Sequence, residues 1–125
     1  MKTIVITGST RGIGYGLGES FLALGHRVVV NGRTQESVEK ALEALVKKYS
    51  ETYLFGYPCD VREFNQVQGL WDASLDHFGE VDIWINNAGV GNAQIKYWNF
   101  PPSRIASVVD TNVRGAMYGA RVALH

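Results

Sequence analysis

The residues with the clearest chemical purpose lie near the start of the chain. Thr7-Gly8-Ser9-Thr10-Arg11-Gly12-Ile13-Gly14 follows a short β-branched run and opens a helical pattern. Gly8 allows a sharp turn, Gly12 lets the backbone approach a pyrophosphate, and Gly14 lets the helix pack closely on the strand. The free N–H groups of the helix N-terminus then face an anion, where the macrodipole favours negative charge. The alternative is a loop–helix junction that is merely rich in glycine. A strand before it, a helix after it and a second strand about 20 residues on are the context that favours nucleotide binding. Gly16 and Gly18 lie inside the same helix, and each costs about 1 kcal/mol against Ala. Close packing on a sheet accounts for one of them; nothing in the sequence accounts for both.

Later segments end on further candidates. In dinucleotide folds an acidic residue at the end of the second strand bonds the ribose 2′-OH and repels a 2′-phosphate. Here the segment reads Val30-Asn31-Gly32-Arg33, with no acid. Arg33 can fork two donors onto a phosphate, and Arg11 can approach the same group. The pair predicts NADP(H) in preference to NAD(H), unless both are ordinary surface charges. Asp60 reads as the cap of a third helix, with Glu63 completing a capping box. Asn86-Asn87-Ala88-Gly89 is good turn chemistry on any fold. Asn112 falls on an apolar stripe of Ile105, Val108, Val109, Ala116, Met117 and Ala120. A buried amide without partners costs about 1–3 kcal/mol, so Asn112 requires a bonded neighbour or a chemical task.

The elements that must position these residues alternate between two periods. Residues 2–7, 27–31, 52–58 and 81–86 read as strands. The first helix spans residues 12–24, with Ile13, Leu17, Phe21 and Leu24 inward and Gly25 as its stop. The second starts at a Thr34 cap and turns Val38, Leu42, Leu45 and Tyr49 inward; Glu36–Lys40 and Glu43–Lys47 support its outer face. The third stacks Phe64, Val67, Trp71, Leu75 and Phe78 before Gly79, and a fourth begins after Pro101-Pro102 and runs to the end of the chain. Right-handed crossovers give an α/β, doubly wound parallel sheet of Rossmann-like type with strand order 3-2-1-4 and helices on both faces. The order reverses between the first and fourth strands, where a ligand crevice should open. Residues 1–125 read as one dinucleotide-binding domain.

Composition narrows the choice. Of 125 residues, 46% are apolar and 19% charged, which excludes disorder. Twelve Lys and Arg balance twelve Asp and Glu, which argues against nucleic-acid or anionic-membrane partners. The lone Cys59 excludes a disulfide framework and a cysteine zinc site, and His26, His77 and His125 form no metal-ligand spacing. No metal is expected. The N-terminus has too short an apolar run for a signal peptide, and no stretch approaches the roughly 20 apolar residues of a membrane span. The default location is the cytosol. Zero net charge also eases self-association.

The spacing T-G-x-x-x-G-x-G resembles the classical short-chain dehydrogenase/reductase family, and three later motifs agree: Asp60-Val61, Asn86-Asn87-Ala88-Gly89 and Thr111-Asn112-Val113. The resemblance covers the whole chain. It implies cofactor contacts from Thr7 to Gly14, at Arg33, at Asp60 and Val61 on the adenine, and at Asn86, Ala88 and Gly89 along the crevice wall. It makes Asn112 the catalytic Asn that holds a water in a proton relay. It also implies a Ser and a Tyr-x-x-x-Lys, and none of the six tyrosines here has a lysine four residues on. The expectation is therefore the cofactor half of an NADP(H)-dependent oxidoreductase, passing hydride to or from a small carbonyl or alcohol substrate and inactive by itself. The rivals are a non-catalytic NADP(H)-binding or regulatory module and an inactive fragment. Residues 92–99, with Tyr97 and Trp98, are a candidate wall of the substrate pocket. In the resembled family the last helix packs against its mate, so a homo-oligomer is expected there, with Gly115-x-x-x-Gly119 on that helix and an open edge at the fourth strand.

Overall fold

The computed structural model describes residues 1–91 and 94–124, so Asn92, Ala93 and His125 lie outside the described residues. The elements follow in the order β1 (Thr3–Ile6), α1 (Gly12–Ala23), β2 (Arg27–Gly32), α2 (Gln35–Leu45), β3 (Leu54–Pro58), α3 (Phe64–Phe78), β4 (Ile83–Ile85), α4 (Pro102–Val108) and α5 (Gly115–Ala123). All four strands are parallel, in the order β3-β2-β1-β4. The register aligns Ile4 with Val28 and Ile83, and Ile6 with Val30 and Ile85.

A continuous β-branched run suits a strand buried on both faces, and β1 is buried at every position. Its side chains alternate between two cores. Ile4 and Ile6 join Val28, Val30, Leu22 and Leu45 beneath α1 and α2. Val5 joins Val29, Val67, Leu70 and Val122 beneath α3 and α5. The third strand is shorter than the residue pattern suggests, because Glu51–Tyr53 forms a 3-10 turn ahead of Leu54. The fourth shortens to Ile83–Ile85 and is a sheet edge among the described residues.

Helix faces hold the main corrections. In α1 the buried positions are Gly14, Gly18 and Leu22, whereas Ile13 is 80% and Leu24 72% exposed. Leu17 and Phe21 do pack against the core, but the fully buried line runs through Gly14 and Gly18, which apolar periodicity does not detect. A Cβ on Gly18 would sit 3.6 Å from Val28, while one on Gly16 would meet nothing within 4 Å. The first is ordinary van der Waals contact, so packing requires a glycine at neither position. Thr34 caps α2 as expected, accepting from the Ser37 N–H at 3.1 Å, and Glu36 pairs with Lys40. The capping box at α3 is not formed. Asp60 instead accepts from the N–H and guanidinium of Arg62, and Gln66, rather than Glu63, reaches back to the Asp60 N–H at 2.8 Å.

The last helix runs on to Ala123 as expected, but its pitch changes midway. A π-helical turn, Val109–Arg114, separates α4 from α5. It rotates the stripe of apolar residues outward, so Val109, Val113 and Met117 are 50%, 53% and 67% exposed, and Asn112 is exposed too. The buried line is Gly115, Gly119 and Val122. A Cβ on Gly115 would stand 2.7 Å from Val61, and one on Gly119 would run into Trp84 and Asn86. The Gly115-x-x-x-Gly119 face is therefore occupied within the chain, Gly115 by Val61 ahead of α3 and Gly119 by the end of β4. No described helix is long and apolar enough to cross a membrane.

Candidate functional site

The strand order reverses between β1 and β4, and the loops leaving their carboxyl ends diverge there to open a crevice. The Thr7 hydroxyl accepts from the Asn87 and Ala88 N–H groups at 3.0 Å each. The Asn87 amide donates to the carbonyls of Thr7 and Gly8 at 3.1 and 3.0 Å. The glycine turn and the β4 loop are thus tied together by four bonds. On the other side Asn31, at the end of β2, accepts from the Gly8 N–H at 3.0 Å and donates to the carbonyls of Tyr57 and Cys59. Ser9 adds a bond from its N–H to the Asn31 carbonyl at 2.7 Å, and its hydroxyl donates to Ile6 O and accepts from the Asn31 N–H.

This frame holds a cleft of about 330 Å³. Gly8 (φ 63°) and Gly12 (φ 61°) take the left-handed conformation that favours glycine. A Cβ on Gly8 would be 2.8 Å from Ala88 Cα, so the turn presses against the β4 loop; at Gly12 there is open space. Gly14 packs inward against Ser9 and the Gly8 carbonyl. The N-terminus of α1 has no side-chain cap and no acidic residue in its first turn. Uncapped amides beside an open glycine suit an anionic group. An extended diphosphate fits the residues present.

The rim carries two cations and one anion. Arg11 and Arg33 are exposed on the cleft, and Asp60 lies beside them. Hydrogen bonds and charge from Arg62 hold the Asp60 carboxyl below its ordinary range, with Arg33 adding to the effect. Arg62 engages both Asp60 oxygens. Cys59 lines the floor, and burial pushes its thiol up to about 12, with the charge of Asp60 adding to this. It is therefore a neutral thiol at physiological pH.

Gly8, Thr10, Arg11, Gly12, Ile13, Arg33, Asp60, Val61, Ala88 and Gly89 all line the cleft. Ile13 is exposed because it belongs to this wall and not to the core. Thr7, Ser9 and Gly14 stand behind the wall and shape it. Asn86 is not brought in: its Oδ1 accepts from Trp84 Nε1 at 2.8 Å, on the α5 side. Asn112 does not lie on a buried stripe. Its amide brackets the Val90 backbone, accepting from its N–H at 2.8 Å and donating to its carbonyl at 3.2 Å. The residues that sequence reasoning misses are Asn31 and Asn87, whose signal is a polar amide at the end of an otherwise apolar strand.

A parallel sheet with a glycine turn at its switch point and an uncapped helix end above it is the architecture of a dinucleotide-binding α/β protein. The sequence matches the short chain dehydrogenase family over residues 2–125, and the chain belongs to that family. It is 40% identical over 128 residues to the chloroplastic chlorophyll(ide) b reductase NOL of Oryza sativa subsp. japonica, covering 98% of this chain and 36% of that protein. Among solved structures it resembles a short chain dehydrogenase/reductase from Burkholderia phymatum in complex with NAD, with 32% identity, 98% of this chain, 43% of that one and a TM-score of 0.87. It also resembles ElxO with NADP bound, with 28% identity, 98% of this chain, 49% of that one and a TM-score of 0.89. The chain thus spans less than half the length of these three proteins. The cytosolic expectation is corrected by the same comparison, because reductases it matches in Oryza sativa subsp. japonica and Arabidopsis thaliana are chloroplastic. The composition of a folded domain does not carry its compartment.

Proposed function

We propose that this chain is the cofactor-binding part of an oxidoreductase that takes NADP(H) in preference to NAD(H) and acts on a small carbonyl or alcohol substrate. The observation that carries the reading is the rim of the cleft, where Arg11 and Arg33 stand beside Gly32 and the usual acid of the second strand is missing. The α1 N-terminus and Gly12 receive the diphosphate, Arg33 and Arg11 the 2′-phosphate, and Asp60 with Val61 the adenine side. Ala88 and Gly89 form the wall toward the nicotinamide ribose. The bound nicotinamide supplies or accepts hydride. Asn112 acts as a positioning residue, holding the Val90 segment of the crevice wall. Self-association through the last helix uses its outer face of Val109, Val113 and Met117, since the glycine face is occupied.

Calorimetric titration with NADPH and NADH tests the reading. Charge-assisted hydrogen bonds contribute about 1.5–3 kcal/mol, so the chain should bind NADPH at least about tenfold more tightly. Arg33→Ala should remove most of that difference while leaving NADH affinity nearly unchanged. Equal affinities in the unmodified protein would refute it.

A further inference from the structure

Position 32 is the place where an acidic side chain would select against a 2′-phosphate, and its glycine has a second consequence in three dimensions. Gly32 lies in β2, outside the left-handed region, so its backbone accepts any L residue. Space does not. A Cβ there would stand 2.6 Å from Thr10 Cγ2, 3.4 Å from Thr10 Oγ1 and 2.8 Å from Ser37 Oγ.

The backbone behind each neighbour is held in place. Thr10 belongs to the glycine turn, which Asn31 grips at the preceding Gly8 and Ser9. Ser37 is locked into the cap of α2: its N–H donates to Thr34 Oγ1, and its hydroxyl donates to Thr34 O at 3.0 Å. The hydroxyl also stands 3.0 Å from that of Thr34. The corner is therefore closed from two sides, by the turn that would receive phosphate and by the helix that follows the second strand.

We propose that Thr10 and Ser37 are specificity-determining residues of this cleft, because together they occupy the volume that any side chain at position 32 would need. The proposal rests on the NADP(H) reading for its meaning, but the steric claim stands apart from it. An acid at position 32 alone displaces the glycine turn before it can reach a ribose, so it weakens both cofactors. Conversion toward NADH requires the slot to be opened as well.

The test is a mutational cycle on the full chain. Gly32→Ala adds only the Cβ, and Thr10→Ala with Ser37→Ala removes the three opposing atoms. Without cofactor, Gly32→Ala should lower the melting temperature by several degrees in the native background and by clearly less in the Thr10→Ala/Ser37→Ala background. The same drop in both backgrounds overturns the proposal, as does no drop in the native one. If Gly32→Ala alone does not fold, recovery of folded protein in the opened background supports the proposal and failure to recover overturns it. Calorimetry then compares cofactors. Gly32→Asp should weaken NADPH and NADH together in the native background, and in the opened one move their affinity ratio toward NADH by roughly tenfold. A tenfold move toward NADH by Gly32→Asp alone also overturns it. Equal affinities in the unmodified protein would remove the NADP(H) reading, while the melting cycle would still decide the steric claim.

Discussion

Asn31 offers a sharp test of how the site is held, because one buried amide joins three segments. Its side chain is 1% exposed, accepts from the Gly8 N–H at 3.0 Å, and donates to Tyr57 O at 3.1 Å and Cys59 O at 3.3 Å. Asn31→Ala leaves one N–H and two carbonyls without this partner, in a buried to part-buried corner. A lost bond costs about 1 kcal/mol net, and a buried group left unpaired about 1–3 kcal/mol, so the three together come to about 3–4 kcal/mol. In a domain of this size each kcal/mol moves the midpoint by about 3–6 °C, so a fall of about 10–20 °C is expected. Asn31→Asp is the more informative variant. It keeps the shape and the acceptor for Gly8, but turns an oxygen toward two carbonyls. The carboxylate must either charge against them or take up a proton with a raised pKa. At neutral pH it should melt about as low as Asn31→Ala and regain stability on acidification. Melting followed by circular dichroism, with NADPH calorimetry alongside, measures both effects. A change of less than about 2 °C for either variant would mean that Asn31 does not carry this corner.

Two further outcomes follow from the geometry. Asn112→Ala removes both bonds to the exposed Val90 backbone. It should cost only about 1–2 kcal/mol in stability, yet speed amide exchange at Val90 several-fold; unchanged exchange there would refute the positioning role. Asp82 is held below its ordinary range, first by the Thr3 N–H and then by Lys2, and Asp60 by Arg62. Because both folded values are lowered, the stability they contribute is present above the ordinary carboxylate pKa of about 4 and is lost as pH falls through the lowered values. The melting temperature should therefore decline below about pH 4, less steeply in Asp82→Asn; an identical acid limb in that variant would count against the pair.

The order of elements is legible in the sequence because it rests on strong local signals. The runs Ile4-Val5-Ile6 and Val28-Val29-Val30, the Thr34 cap and the stops at Gly25 and Gly79 all act within a few residues. Strand order 3-2-1-4 then follows from crossover handedness. The cleft is legible for the same reason, since its wall is mostly the glycine turn and the two loop starts at Asp60 and Ala88. The tertiary amide contacts are not legible. Asn31 and Asn87 act through backbone groups that are distant in sequence, and no spacing rule points to Gly8 from position 31. Asn86 shows the reverse failure, a motif residue whose side chain is turned by Trp84 toward α5 and away from the crevice.

The misassigned helix faces share one cause, and it bears on the site. Apolar periodicity assumes that the side chains which bury most area face the sheet. In α1 and α5 the closest approaches are at Gly14, Gly115 and Gly119, while Leu22 and Val122 bury beside them and Ile13, Val113 and Met117 are turned outward. For α1 the close approach is what sets its N-terminus at the mouth of the crevice: a Cβ at Gly14 would collide with the Gly8 carbonyl, 2.5 Å away, and with the Asn87 amide. Lifting the helix to relieve that collision would carry its free N–H groups away from the turn. Ile13 is then exposed because it faces the cleft from the helix that Gly14 seats. The glycine stripe is thus a positioning device for the site, and its conformational cost of about 1 kcal/mol per helical glycine is offset by what the close approach places there.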